Sequence, residues 1–240
     1  MVLRTKIPLL SLFVVSACAF GNGAYIPVLY NFSLLKAFNP VEGKVKDFNV
    51  VMTNEKGDKI YTLSAELSDD GCLESLQSHD KRKNSELILK RDGRSLKGIK
   101  DWSIIVFSLD EKCNIASKME HGSIEEYITS PEGALTSVRF MGNKTSEFFY
   151  DEYGRISVTK MYSSRGETAS KTISYSDEEH KPMDYTLIKT SLYSDDYTAK
   201  NICQYDSRGT PFECDLTITF GDKPDSKVLK RKVYTKASFY

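Results

Sequence analysis

The chain has one tryptophan and three histidines in 240 residues, and neither charge dominates, with 33 Lys and Arg against 33 Asp and Glu. Balanced charge removes the basic footprint of a nucleic-acid binder. The histidines His79, His121 and His180 lie far apart, and no Cys-x-x-Cys occurs, so no metal site is expected. Also missing are the Gly-x-Ser-x-Gly elbow, the P-loop and the dinucleotide fingerprint, so no cofactor is implied. No segment shows a long helical period with caps. No apolar run reaches the roughly 20 residues that cross a bilayer as a helix.

What is present begins at the N-terminus. Arg4 and Lys6 precede an apolar run from Ile7 to Ala17, broken only by Pro8 and Ser11. A positive start, a short apolar core and a small-residue exit make a secretory signal. The exit, Val15-Ser16-Ala17-Cys18, is similar to a lipobox. The thiol of such a Cys takes a diacylglyceryl group before cleavage, and its freed amine is then acylated. Two or more chains hold a protein firmly to a membrane, where one holds it marginally. Residues 1–17 are therefore expected to be removed, with Cys18 the N-acylated, S-diacylglyceryl first residue. Ala19 stands where an inner-membrane retention signal carries Asp, which leans the destination toward the outer membrane. Residues 18–40, with Gly21-Asn22-Gly23, Pro27 and Pro40, read as lipidated Cys and tether; Leu29 to Phe38 is either one short turn of helix or an extended arm.

Five cysteines are odd in number, and lipid on Cys18 removes the oddity. In an oxidising periplasm Cys72, Cys113, Cys203 and Cys214 should pair. Of the three pairings, Cys203–Cys214 is favoured because both flank one turn and would face each other across a hairpin. That leaves Cys72–Cys113.

From Val41 onward the pattern is strand, turn, strand, and 41–240 reads as a single β-rich periplasmic domain. Lys59 to Leu67 alternates apolar and polar with period two. Later runs are rich in Tyr, Phe, Thr, Val and Ile, which suit a pleated surface. Short runs joined by turn residues predict a mainly β fold of antiparallel, consecutive hairpins with little helix. One turn recurs: Asp151-Glu152-Tyr153-Gly154 and Asp206-Ser207-Arg208-Gly209 each follow a Tyr, and Asn54 to Gly57, Ser68 to Gly71 and Ser130 to Gly133 keep the spacing. Asp, Asn or Ser at the first position bonds back to the backbone, and Gly three residues on takes a left-handed conformation.

The lipobox at Cys18, Gly43-Lys44-Val45-Lys46-Asp47-Phe48, Leu67-Ser68-Asp69-Asp70-Gly71-Cys72, Met183-Asp184-Tyr185-Thr186, Cys203-Gln204-Tyr205-Asp206-Ser207 and Val233-Tyr234-Thr235 through Phe239-Tyr240 together resemble the YnfC family of enterobacterial envelope lipoproteins. The match is weakest from Lys81 to Ser146, where Cys113 anchors it. The resemblance implies lipidation at Cys18 and an envelope membrane location. It carries no activity and no catalytic residue.

The acid pairs Asp69-Asp70, Glu125-Glu126, Glu178-Glu179 and Asp195-Asp196 are the material for a glycan hydrolase, but adjacent acids in a strand point to opposite faces. Aromatics crowd two hairpins, Phe148, Phe149, Tyr150 and Tyr153 in one and Tyr185, Tyr193 and Tyr197 in the other. They read as β core and rim, with a binding surface for peptide, glycan or a partner as the sharper alternative. Lys227, Lys230, Arg231, Lys232 and Lys236 read as edge-strand charges that discourage aggregation. Their alternative is a site for anionic lipid heads or lipopolysaccharide. The expectation is a non-catalytic envelope protein that binds a partner or maintains the envelope. It would hold to the membrane through Cys18, with an envelope protein or glycan as partner and no nucleic acid. The alternative is a lipid-anchored envelope hydrolase.

Overall fold

The computed structural model describes residues 25–36, 38–176, 181–221 and 226–240. Helix α1 (Pro27–Lys36) comes first. Strands β1 (Val45–Thr53), β2 (Lys59–Leu67), β3 (Leu73–Asp80), β4 (Ser85–Asp92), β5 (Ser95–Lys100), β6 (Ser103–Leu109), β7 (Ile115–Glu120) and β8 (Ser123–Thr129) follow. The second half holds β9 (Leu135–Phe140), β10 (Asn143–Tyr150), β11 (Ile156–Ser163), β12 (Gly166–Tyr175), β13 (Tyr185–Ser191), β14 (Tyr197–Tyr205), β15 (Pro211–Phe220) and β16 (Lys227–Phe239). Each strand pairs antiparallel with the next, and β16 closes on β1 to form a 16-stranded barrel. The fold is thus mainly β, built of consecutive hairpins with one short helix among the described residues.

Alternation explains what faces where. On β2, Tyr61, Leu63, Ala65 and Leu67 are buried while Ser64 and Glu66 are exposed. Charged side chains sit mid-strand on the outer face of several strands, among them Lys90, Lys97, Lys200 and Lys232. A lipid-facing belt would carry apolar residues there. The outer face also carries an apolar ladder, Ile88 opposite Ile99 and Ile99 opposite Ile104. Such pairs stabilise neighbouring strands.

Closure overturns the edge reading of the basic C-terminal cluster. β16 is hydrogen-bonded to β15 on one side and β1 on the other, so it is no edge. Lys230 and Lys232 face outward; Lys232 meets Glu213 at 2.5 Å and Asp215 at 3.3 Å. Arg231 faces inward.

The two ends differ. One end gathers most of the recurrent turns, with Asn54 to Gly57, in the link from β1 to β2, the exception at the other end. Asp151 Oδ1 accepts from the Tyr153 and Arg155 amides, and Asp206 Oδ1 from those of Arg208 and Thr210. Gly154 and Gly209 take the left-handed conformation that closes each turn, at φ 74° and 78°. Asp110 to Cys113 is a further copy of this turn, hidden because Cys113 (φ 63°) holds the glycine position. The other end uses tighter links such as Asp101-Trp102 and Met141-Gly142, in which both residues have positive φ, as type I′ hairpins require.

Helix α1 enters at the first end and fills it. It occupies residues assigned to the tether by sequence, and Val28, Leu29, Tyr30, Asn31, Phe32 and Ser33 are all buried. A helix enclosed on all sides has no polar face, so it shows no amphipathic period. Leu29 and Phe32 are fully buried, and burial of each side chain contributes about 1.5–3 kcal/mol. Phe32 packs on Phe107 of β6, and Phe38 beyond the helix packs on Phe48 of β1. The plug is also hydrogen-bonded. Asn31 donates to the Gly133 carbonyl at 2.9 Å and accepts from the Leu135 amide at 3.1 Å, while the Tyr30 hydroxyl accepts from the Ile156 amide at 2.9 Å.

Candidate functional site

The helix fills the lumen unevenly. On the side of β1 to β6 it shares one buried cluster with large apolar side chains such as Phe48, Leu63, Leu76, Leu89 and Phe107, the last in contact with Phe32. Toward β10 to β15 the wall stands back, and a cavity of about 560 Å³ remains. That volume lies in the range of small-molecule sites. Its floor is the helix end and the segment after it, including Leu34, Leu35 and Phe38. Its side wall is apolar and aromatic, with Phe148, Ile173, Tyr175, Met183, Tyr185 and Leu216 prominent. Away from the plug it reaches Arg82, Tyr197 and Arg231, whose side chains are partly exposed.

The tyrosines keep their protons across the physiological range. Burial pushes the Tyr185 hydroxyl up to about 12, and burial with Tyr30 and Tyr185 nearby pushes Tyr175 higher still. They act as donors and apolar surface, not as bases. Tyr127 donates to Glu125 Oε2 at 3.0 Å, and Lys118 pairs with Glu125 at 2.9 Å. Asp80, beside the cavity, is gripped by Arg82 through both carboxylate oxygens, each bond 2.7 Å. That grip holds the Asp80 carboxyl below its usual range despite partial burial. Lys171 lines the middle of the cavity, where burial lowers its amine and Lys189 and Lys83 add to the effect.

The sequence-derived candidates distribute as follows. Cys18, Glu178, Glu179 and His180 lie outside the described residues. The structure joins Cys72 to Cys113 with a Cα separation of 5.4 Å, and Cys203 to Cys214 at 4.0 Å. The first bridge ties the turn before β3 to that before β7; the second crosses the β14–β15 ladder, where the two residues are direct partners. Asp69 and Asp70 sit in a turn, with Asp70 bonded to Ser68, and Asp195 and Asp196 in the link from β13 to β14. Glu125 faces the lumen and Glu126 faces out. No two carboxylates of these pairs converge on the cavity among the described residues. His79 is on the outer face of β3, and His121 is in a tight turn bonded to Ser103 at 2.7 Å.

The aromatic hairpins split. Phe148, Tyr175, Tyr185 and Tyr197 line the lumen, and Tyr150 packs against the core and donates to the Leu135 carbonyl at 2.6 Å. Phe149, Tyr153 and Tyr193 are exposed. The lumen-lining cations Arg82, Lys171 and Arg231 were missed as a group. Charges inside strands read as outward-facing until closure assigns each face, and the alternation around Arg231 was the one usable signal.

Comparison with known proteins agrees with this architecture. The crystal structure of a porin-like protein from Bacteroides uniformis superposes with a TM-score of 0.53 at 11% identity, covering 81% of this chain and 96% of that one. The likeness is one of fold. Two proteins named UPF0257 lipoprotein YnfC align over most of the sequence. The one from Salmonella paratyphi C is 29% identical over 198 residues, spanning 81% of this chain and 80% of its own. The one from Escherichia coli is 28% identical over 195 residues with the same coverage. The model of the uncharacterised protein family UPF0257 matches residues 1–240, and the chain therefore belongs to that family.

Proposed function

We propose that this chain is a lipoprotein of the bacterial envelope, anchored through Cys18, whose plugged barrel holds a small, largely apolar ligand without transforming it. The observation that carries the reading is the cavity of about 560 Å³ inside the barrel, floored by the helix and walled by apolar and tyrosine side chains. An apolar concavity with a few polar groups is the usual form of a small-molecule site. The anchor rests on the lipobox and on relatives named as lipoproteins. Cys18 precedes Tyr25 by seven residues, a span of at most about 25 Å. A lipid at Cys18 would keep the plugged end beside the membrane and turn the other end away from it. Ala19 favours the outer membrane, on its periplasmic face. The non-catalytic reading is supported by the scatter of the acid pairs and by the engagement of Glu125 with Lys118 and Tyr127.

The test places a photo-crosslinking residue at Leu187, which lines the cavity, or at its neighbour Ile188, which is exposed. Irradiated cells should yield a small-molecule adduct on the Leu187 peptide and none on the Ile188 peptide, with acyl mass on the N-terminal peptide. Equal adducts at both positions, or none at Leu187, would refute the lumen reading. An N-terminal peptide with unmodified Cys18 would refute the anchor.

A further inference from the structure

The chain is neutral overall, but its lumen is not. The carboxylates along this part of the wall are already engaged: Asp80 by Arg82, Glu125 by Lys118, and Glu120 by Lys100 at 2.6 Å and Lys118 at 3.2 Å. Lys171 and Arg231 line the same cavity. Neither side chain makes a hydrogen bond or ion pair with any described residue. Both are half-buried, and desolvation weighs on each; at Arg231 the nearby Arg82 adds to the effect, while Asp80 and Tyr197 oppose it. A charge withdrawn from water without a partner is costly, and an anion that pairs with it relieves that cost.

The cations and the apolar surface are segregated along the barrel. Arg82 follows β3 at the end away from the plug, Arg231 is in the first half of β16 from that same end, and Lys171 is midway along β12. Toward the plug the lining becomes Ile173, Met183, Ile156, Phe148 and Phe38. One end of the cavity therefore suits a negative group and the other suits hydrocarbon.

We infer that the lumen takes an anionic amphiphile, its carboxylate or phosphate head between Lys171 and Arg231, beside the Arg82–Asp80 pair, and its hydrocarbon directed toward the helix plug. This rests on the reading of the lumen as a binding site and specifies its ligand class. Charge-assisted hydrogen bonds to the head supply the preference over an uncharged chain of equal length. Guanidinium groups suit planar carboxylate and phosphate oxygens, and lysine adds a point charge.

The test uses full-length protein purified from membranes in a nonionic detergent and reads bound mass by native mass spectrometry. Dodecyl phosphate, dodecanoate and dodecanol are the three probes. One dodecyl phosphate or dodecanoate per chain is expected, retained at least about tenfold more tightly than dodecanol. Retention of both anions identifies shared anionic chemistry, and retention of dodecyl phosphate alone identifies a phosphate head. The double variant Lys171→Met with Arg231→Met should bring the ratio to within about twofold while dodecanol binding persists. The conservative pair Lys171→Arg with Arg231→Lys should keep the preference. Dodecanol binding as well as the anions, or an undiminished preference in the methionine pair, would overturn the ligand class. Retention of none of the three would remove the lumen itself as a site, a distinct failure.

Discussion

The side-chain amide of Asn31 donates to the Gly133 carbonyl at 2.9 Å across 102 residues of chain, and its oxygen accepts from the Leu135 amide. This one buried side chain joins the helix plug to the chain between β8 and β9 and satisfies two buried backbone groups. Asn31→Ala strands both. The expected loss is about 2–4 kcal/mol, read as a lower urea midpoint with little change in slope. A loss under about 0.5 kcal/mol, the scale of an ordinary surface substitution, would mean that the plug is not held as described.

The bridge between Cys203 and Cys214 closes a hairpin of 11 residues in sequence separation. Cys203→Ser should leave Cys214 as one thiol that reacts with a maleimide only after denaturation, because Cys214 is fully buried. The expected cost is about 3 kcal/mol. Labelling of Cys72 or Cys113 in this variant would show a different pairing.

Trp102 is almost wholly exposed and sits at φ 70° in the link between β5 and β6. A bulky residue in the left-handed region is strained, and glycine is not. Trp102→Gly should therefore raise the thermal midpoint, with a gain of about 0.5–1 kcal/mol. A lower midpoint would show that the indole makes a stabilising contact.

Burial holds the Lys36 amine down to about 8, with Lys100 and Lys118 nearby adding to the effect and Glu120 and Asp101 opposing it. The unfolded chain, with an ordinary lysine value of 10.5, keeps that proton after the folded chain has released it. Unfolding then takes up a proton, so stability rises as pH climbs from about 8 toward 10. Above about 10 the buried tyrosines act in the opposite sense, since they keep protons that the unfolded chain loses. Lys36→Met should start from a higher urea midpoint near pH 7.5 and climb less steeply to about 9.5. Parallel curves for the two proteins would rule Lys36 out as the source.

Much of the barrel was readable one hairpin at a time. Lys59 to Leu67 alternates cleanly and is β2 residue for residue. The Asp-x-x-Gly turns mark where the chain reverses. β5, β7 and β9 are hard to read because each is six residues long and buries only one or two side chains, so alternation has almost nothing to register. Closure was not legible either. The pairing of Val50 with Thr235 joins the two ends of the chain, and no local pattern encodes it. That long-range pairing is what turns Arg231 from an edge charge into a lumen-lining one. The helix was obscured for a related reason: Val28, Leu29, Tyr30 and Phe32 are apolar in all directions, which suits a plug and hides its period.

The central claim is that the plugged lumen holds a ligand. It is tested most directly by the native mass of the protein released gently from its membrane, beside Ala199→Trp and Leu187→Trp, which fill the cavity from β14 and β13. The wild type should carry one small-molecule adduct that is lost on denaturation and absent from both tryptophan variants. A wild type with no adduct, or an adduct carried equally by the filled barrels, would contradict it.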